Sequence, residues 1–365
     1  MYAFLSHDSA CEALRALKKP RPNWPPEPRK LPLSGDCISN QRSFRSFVKS
    51  VDLAKYGVVT QPVELLVPSQ SVRSRGKAAH FHVWSGPIPA GSMIRLTDGL
   101  LLSGPELVIA QMCGSQAKLE GLLDKHSQAV HAEQETIDML GLDQQPTIDH
   151  PLVRDSIERL VAAIVLACEF AGTYRLGVGE GKTTYGHPAL MDAASLGRVI
   201  AGLEGTSNVT RSAEVAGLFY ERSASPMETA LALMLTLPVN VGGLGLPRTE
   251  LNAAVDVSAW RGTLSDRDTV TPDMLWRSQH VAIEYDSAEF HESTGAGQLE
   301  KDARRSNILA TCGYHVLRVT PGVVRTVHDV ELLGRQVAYL LGVELVQPSD
   351  IQTLRRTRLF AMLMS

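Results

Sequence analysis

The chain has 365 residues, of which 44% are hydrophobic, 21% charged and 5% aromatic, and its formal net charge is -3. Composition of this kind excludes wholesale disorder and fibrous repeats, and the length exceeds one comfortable core and points to two domains. With 36 Lys and Arg against 39 Asp and Glu, no whole-chain basic excess advertises nucleic acid, although a local patch remains compatible with it. The cysteines Cys11, Cys37, Cys113, Cys168 and Cys312 form no CxxC pair, which argues against a zinc ribbon and fits a reducing cytoplasm. The first residues show no charged-then-apolar signal pattern. The most apolar run, Leu160 to Cys168, is about half the length that a membrane span needs. A soluble cytoplasmic protein without a membrane partner is expected.

In chain order, residues 1–50 read as a basic, proline-rich arm. Pro20, Pro22, Pro25, Pro26, Pro28 and Pro32 exclude a helix, and nine Lys/Arg stand against four Asp/Glu. Such an arm either lies solvated over the domain or contacts phosphate. Residues 51–215 read as an α+β domain. Short strands are expected at Val58–Val59, Val63–Val67, His80–Trp84 and Met93–Leu96. Helical spacing takes over at Pro105 and again after Pro151, with Gly172 as a stop.

Residues 216–345 read as a compact α/β unit. Ser225-Pro226-Met227-Glu228 is a capping-box signature, and the helix it starts ends before Pro238. A strand over Leu251–Val257 is expected next. A hairpin follows, with arms Pro272–Trp276 and Val281–Asp286. Then come a charged helix over Gln298–Cys312, a strand over His315–Val319 and a helix over Val330–Leu341. Residues 346–365 read as a C-terminal tail helix.

The hairpin carries the sharpest chemical signal. Residues two apart in a strand share a face, so Glu284 and Asp286 point one way and Val281, Ile283 and Tyr285 the other. Asp273 on the neighbouring arm comes alongside Glu284. Three converging acids repel one another unless a divalent cation sits between them, and hard oxygen ligands suit Mg²⁺ or Mn²⁺. Taken alone, the same residues also describe an ordinary solvent-facing acidic strand. Downstream, His291 follows at the same rim. Lys301, Arg304 and Arg305 lie on the charged helix and Arg318 on the next strand, where they are placed to hold phosphates. A basic helix beside an acidic metal site is the layout that phosphodiester hydrolysis needs.

Glu228, Pro272-Asp273, Ile283-Glu284-Tyr285-Asp286, His291, Asp302, Arg304-Arg305 and Gly313 before Val316-Leu317-Arg318 together resemble the very-short-patch-repair-like branch of the PD-(D/E)xK nucleases. The resemblance covers roughly residues 220–345. It implies a restriction-endonuclease-like fold, a mixed sheet flanked by helices, that cuts DNA with Mg²⁺. On that resemblance Asp273 and Glu284 are the metal ligands, Glu228 is the helix-borne glutamate, and Asp286 stands where typical members carry lysine. Ser287 replaces a usual glycine. His291 is the expected substitute for the missing lysine. Phe4-Leu5-Ser6-His7-Asp8-Ser9-Ala10, His80–Trp84 and Ser103-Gly104-Pro105-Glu106 more weakly resemble AbiEi-type antitoxin and regulator proteins. That implies a phage-defence or toxin–antitoxin setting, in which a cognate partner and a second copy of the chain are the expected associates. The alternative is a catalytically inactive nuclease fold serving as regulator or interaction module.

Several other motifs carry less. Gly177 to Thr183 looks like a phosphate-binding loop, but Leu176 occupies the place of its first glycine, and a turn is expected. His80 and His82 share a strand face with no third ligand at suitable spacing, so an ordinary strand is expected. His7, Ser9 and Cys11 lack an orienting acid and suggest no triad.

Overall fold

The computed structural model describes residues 2–17, 29–30, 37–69, 76–84, 86–114, 151–178, 181–203, 208–286 and 296–364, with the side chains of 29–30, 151–156 and 296–303 left aside. It is a mixed α/β chain in two compact units. One comprises Met1–Leu119 with Asp155–Glu221, the other Glu120–Arg154 with Arg222–Ser365. No described helix is long and apolar enough to cross a membrane.

The strands of the first unit are β1 (Ala3–Leu5), β2 (Arg29–Lys30), β3 (Val63–Val67), β4 (Ala79–Val83), β5 (Pro87–Ile88), β6 (Met93–Thr97), β7 (Leu100–Ser103), β8 (Tyr174–Arg175) and β9 (Thr184–Tyr185). Its helices are α1 (His7–Ala16), α2 (Gln41–Phe47), α3 (Pro105–Gly114), α4 (Pro151–Ala171), α5 (Ala193–Ala201) and α6 (Val209–Leu218). Five strands form one sheet in the order β4-β3-β1-β7-β6. β1 is its centre, antiparallel to β3 and parallel to β7. Ala3, Phe4 and Leu5 are all buried, and α1 buries Ala10, Cys11, Ala13 and Leu14 against α3, β3 and β7.

The expected arm over 1–50 is therefore corrected for residues 3–16, which form a core strand and helix. A three-residue strand shows no periodicity, and the buried side of α1 is built mainly from small residues, so neither announces itself. The prolines from Pro20 to Pro28 and Pro32 lie outside the described residues; Arg29 and Lys30 pair with β5. Val58–Val59 is not a strand but follows a short 3-10 turn that ends at Gly57 with φ 83. β8 and β9 pair antiparallel, so the chain reverses direction between Arg175 and Thr184, in keeping with the turn reading.

The strands of the second unit are β10 (Glu250–Leu251), β11 (Val255–Asp256), β12 (Thr269–Val270), β13 (Met274–Trp276), β14 (Val281–Tyr285) and β15 (His315–Val319). Its helices are α7 (Pro226–Thr236), α8 (Ala296–Thr311), α9 (Val327–Leu341) and α10 (Asp350–Leu363). The sheet runs β10-β13-β14-β15, with two antiparallel pairings followed by one parallel pairing. Parallel strands need a crossover, and α8 is that crossover between β14 and β15.

The strand expected over Leu251–Val257 is broken in two at Asn252, which holds φ 46, a left-handed conformation that asparagine tolerates better than most residues. β11 and β12 form an excursion between β10 and β13. Val255 and Val270 from it join Leu275, Ala282, Ile308 and Leu309 in one apolar cluster, which packs α8 against one face of the sheet.

The helix expected in the tail exists, but it is not a tail. α10 buries Leu354, Leu359, Phe360 and Leu363. Arg355 donates to the Asn240 carbonyl at 2.9 Å, and buried Arg356 donates to Glu331 of α9 at 2.6 Å. A Cβ at Gly242 would stand 2.5 Å from the Arg355 carbonyl oxygen, so α10 lies directly on that turn.

Candidate active site

Period-two alternation fixes which side chains meet. Leu275 and Ala282 face α8, so Asp273, Glu284 and Asp286 fall on that same side. Antiparallel pairing aligns Met274 with Ile283, and one further step puts Asp273 opposite Glu284. On α8, Arg305 precedes Ile308 and Leu309 by one turn and shares their face, which brings it over Glu284.

Glu228 enters from α7. The Ser225 hydroxyl accepts from the Glu228 N–H at 3.1 Å, and Pro226 opens the first turn. The expected capping box does not close on the Ser225 N–H. Instead Glu228 Oε2 accepts from the Ala224 N–H at 2.9 Å and from Asn252 Nδ2 at 2.6 Å. The Asn252 N–H in turn donates to the Asp273 carbonyl at 3.1 Å, so one left-handed asparagine ties the glutamate to the strand end. Burial, reinforced by the nearby Asp273 charge, pushes the Glu228 carboxyl up from 4.5 to about 7. Sequence reasoning gives capping as the bland role of this residue. Its carboxylate does more, because it sits against a second acid.

Asp273 Oδ2 accepts from the Tyr285 N–H at 2.6 Å, which holds it across the opening of the hairpin. Glu284 is 1% exposed and is bonded by Arg305 Nη2. Asp286 pairs with Arg318 Nη2 at 2.7 Å. Parallel pairing of β14 with β15 sets Glu284 beside Arg318.

Glu228, Asp273, Glu284, Asp286, Arg305 and Arg318 thus cluster around one end of the hairpin. Arg304 lies exposed on α8. His291 lies outside the described residues, as do the side chains of Lys301 and Asp302. The sequence reading assigns Arg305 and Arg318 to phosphate. The structure gives each a carboxylate, because an acid enclosed under a helix needs a counter-charge at hand.

Among the described residues, no three His, Cys, Asp or Glu side chains are set as a ready metal cage. Mg²⁺ needs only one or two carboxylates, with water or phosphate completing its shell. Asp273 and Glu284 fit that need as hard oxygen donors on adjacent strands. The crowding of Glu228 by Asp273 is a like-charge conflict that a cation there would relieve.

A second polar cluster lies in the first unit, and sequence reasoning misses it. His80 Nδ1 meets Glu64 Oε1 at 3.2 Å, and His82 Nε2 meets Glu64 Oε2. His7 stacks on His82 with ring centroids 3.8 Å apart, and burial followed by His82 pushes His7 down to about 3. The His7 N–H donates to Gln111 Oε1 at 3.1 Å, and Gln111 Nε2 to Ser103 at 3.0 Å. The signal is the β3–β4 register, which aligns Glu64 with His80 and which spacing along the chain does not reveal. Buried Cys11 has its thiol pushed well above the usual range by burial, so it supplies no nucleophile here.

No known protein family, characterised protein or solved structure matches the chain.

Proposed function

We propose that the second unit is a restriction-endonuclease-like, divalent-metal-dependent nuclease that hydrolyses phosphodiester bonds in DNA. The observation that carries this reading is the placement of Asp273 opposite Glu284 at the open end of the β13–β14 hairpin, with Glu228 near enough to feel the Asp273 charge. Its support is topological as well. The sheet β10-β13-β14-β15, antiparallel but for its last pairing and accompanied by helices, agrees with the mixed sheet flanked by helices that the resemblance implies.

In this reading Asp273 and Glu284 hold Mg²⁺ or Mn²⁺. The cation supplies positive charge to the phosphoryl oxygens and to a water. The chain's own residues do the remainder. Glu228 takes the proton of the attacking water; burial raises its proton affinity, and a cation at Asp273 would offset the part that the Asp273 charge adds. The water oxygen bonds to phosphorus, the ester bond breaks, and solvent protonates the departing oxygen. His291, the base or leaving-group acid expected from the sequence, is the alternative to Glu228. Asp286 steadies Arg318 at the rim, and Arg304 with Lys301 meets the phosphate backbone. The first unit selects substrate or partner in a phage-defence or toxin–antitoxin setting, and a second copy of the chain would let both strands be cut.

One observation favours a second reading. Arg305 and Arg318 already neutralise Glu284 and Asp286, as they would in an inactive nuclease fold kept for binding. The experiment that separates the two uses purified wild type and the Asp273→Ala/Glu284→Ala double variant. Both are incubated with supercoiled plasmid, single-stranded DNA and RNA in Mg²⁺, Mn²⁺ and EDTA. The nuclease reading expects metal-dependent cutting of DNA by the wild type alone. Equal cutting by both proteins, or none by either, overturns it.

A further inference from the structure

We propose that Arg305 is an exchangeable counter-ion, traded by Glu284 for a divalent cation and passed to a phosphate, so that cation and nucleic acid bind cooperatively. The proposal rests on the nuclease reading and specifies how that site is regulated.

The geometry of the pair carries it. Glu284 is enclosed and needs a positive partner at all times, because a buried carboxylate left alone is costly. Its partner is attached through one nitrogen only. Arg305 reaches it end-on through Nη2, while Arg305 Nε is buried without a hydrogen bond. Guanidinium offers five donors in a planar fork, so this attachment uses little of what the group can give. The Arg305 side chain is 33% exposed against 2% for Glu284, so the arginine has a way out to solvent and the glutamate does not. Arg304, one position before it, is exposed. Arg318 repeats the arrangement at the next acid, with one nitrogen at 2.7 Å from Asp286 and side-chain exposures of 43% and 15%.

Two positive charges cannot share Glu284 comfortably. A cation at Glu284 favours the outward position of Arg305, and a phosphate, which accepts charge-assisted bonds in pairs, fixes it there. Each ligand thereby favours the other, and the linkage is reciprocal. The site then stays neutralised when empty and acquires phosphate affinity only once loaded.

Calorimetric titration with Mn²⁺ alone, without nucleic acid, at about pH 8 where carboxylates are ionised, tests the exchange. Removal of the competing guanidinium in Arg305→Gln should tighten Mn²⁺ binding by about 5-fold or more, a typical coupling. A second measurement follows a duplex oligonucleotide at constant ionic strength with and without Ca²⁺. Ca²⁺ should strengthen DNA binding by the wild type and have little effect on Arg305→Gln. Arg304→Gln should weaken DNA binding while leaving the Ca²⁺ enhancement in place.

Unchanged or weaker Mn²⁺ affinity in Arg305→Gln, with the Ca²⁺ enhancement intact, overturns the exchange while wild-type cutting keeps the nuclease reading. A wild type that neither binds Mn²⁺ nor cuts overturns both. Should Arg305→Gln not fold, as judged by its melting profile, the wild type decides: a duplex affinity that Ca²⁺ leaves unchanged overturns the exchange.

Discussion

Each unit of this protein buries a glutamate against an arginine, and the two pairs are built differently. In the first unit Glu169 is 0% exposed, and Arg15 grips it as a fork, Nε to Oε1 at 2.9 Å and Nη2 to Oε2 at 2.8 Å. The Leu176 N–H adds a third bond at 3.0 Å, and Arg175 then satisfies the carbonyls of Glu169, Gly172 and Tyr174 around it. That network joins α1, α4 and the β8–β9 hairpin. In the second unit Glu284 is met end-on by Arg305, whose Nε is buried without a hydrogen bond. A forked pair with its remaining groups satisfied rigidifies a core. An end-on pair with spare donors at the edge of solvent is suited to rearrange. On the nuclease reading, the same two residue types would serve architecture in one unit and chemistry in the other.

Parallel substitutions test that difference, and the largest effect is expected on cutting. Glu284→Ala should lower plasmid cleavage by at least about 10³-fold, the scale of losing a main transition-state contact. Its stability cost should be small, because Arg305 is free to turn outward. Glu169→Ala should do the reverse. It strands Arg15 inside the first unit and should cost about 3–5 kcal/mol of stability, read as a lower denaturant midpoint. The folded fraction should still cut. Equal stability losses in the two variants would erase the distinction between the pairs.

What the sequence discloses follows the same division. Local signals were sufficient for the second unit: Ser225 to Glu228 starts a helix, the two apolar arms around Arg277 to His280 make a hairpin, and Gly313 precedes a strand. Period two puts Glu284 and Asp286 on one face, the hairpin register brings Asp273 alongside, and that is the part of the candidate site legible in the sequence. Arg305 on Glu284 was not legible, because the contact depends on the α8 crossover bringing positions 21 apart together. The first unit hides more. β1 pairs with β7 nearly a hundred residues later, so a strand of three residues at the sheet centre leaves no local trace. Glu64 meets His80 and His82 only through parallel register.

Smaller, and readable by pH, is the effect at Glu228. Its folded value of about 7 lies above the ordinary 4.5, so the folded state holds this proton more tightly than the unfolded chain. Stability from this group is complete below about pH 4.5 and is lost as pH rises through about 7, a total of about 3 kcal/mol. On the nuclease reading activity would have the opposite sign, because the base must be deprotonated: cleavage should rise with pH through a limb that lies below about 7 once a cation offsets the Asp273 charge. Glu228→Gln should be more stable than wild type at about pH 8 and flat in stability across the window. It should also lose the activity limb. A limb that persists in Glu228→Gln would move the base to another group, with His291 first in line.

The smallest effect belongs to a pair that resembles the others only in composition. One nitrogen of Arg261, Nη1, contacts both oxygens of Asp268 at 3.0 and 2.9 Å, yet the two side chains are 64% and 55% exposed. Water competes for every one of those bonds, and salt screens what remains. Arg261→Gln should therefore change stability by less than about 1 kcal/mol, with the difference vanishing at high salt. Contact distances alone would rank this pair with Arg15–Glu169. A loss from Arg261→Gln as large as that from Glu169→Ala would show that contact distance, rather than burial and the two-nitrogen fork, sets the strength. The comparison between the two units would then need a different physical basis.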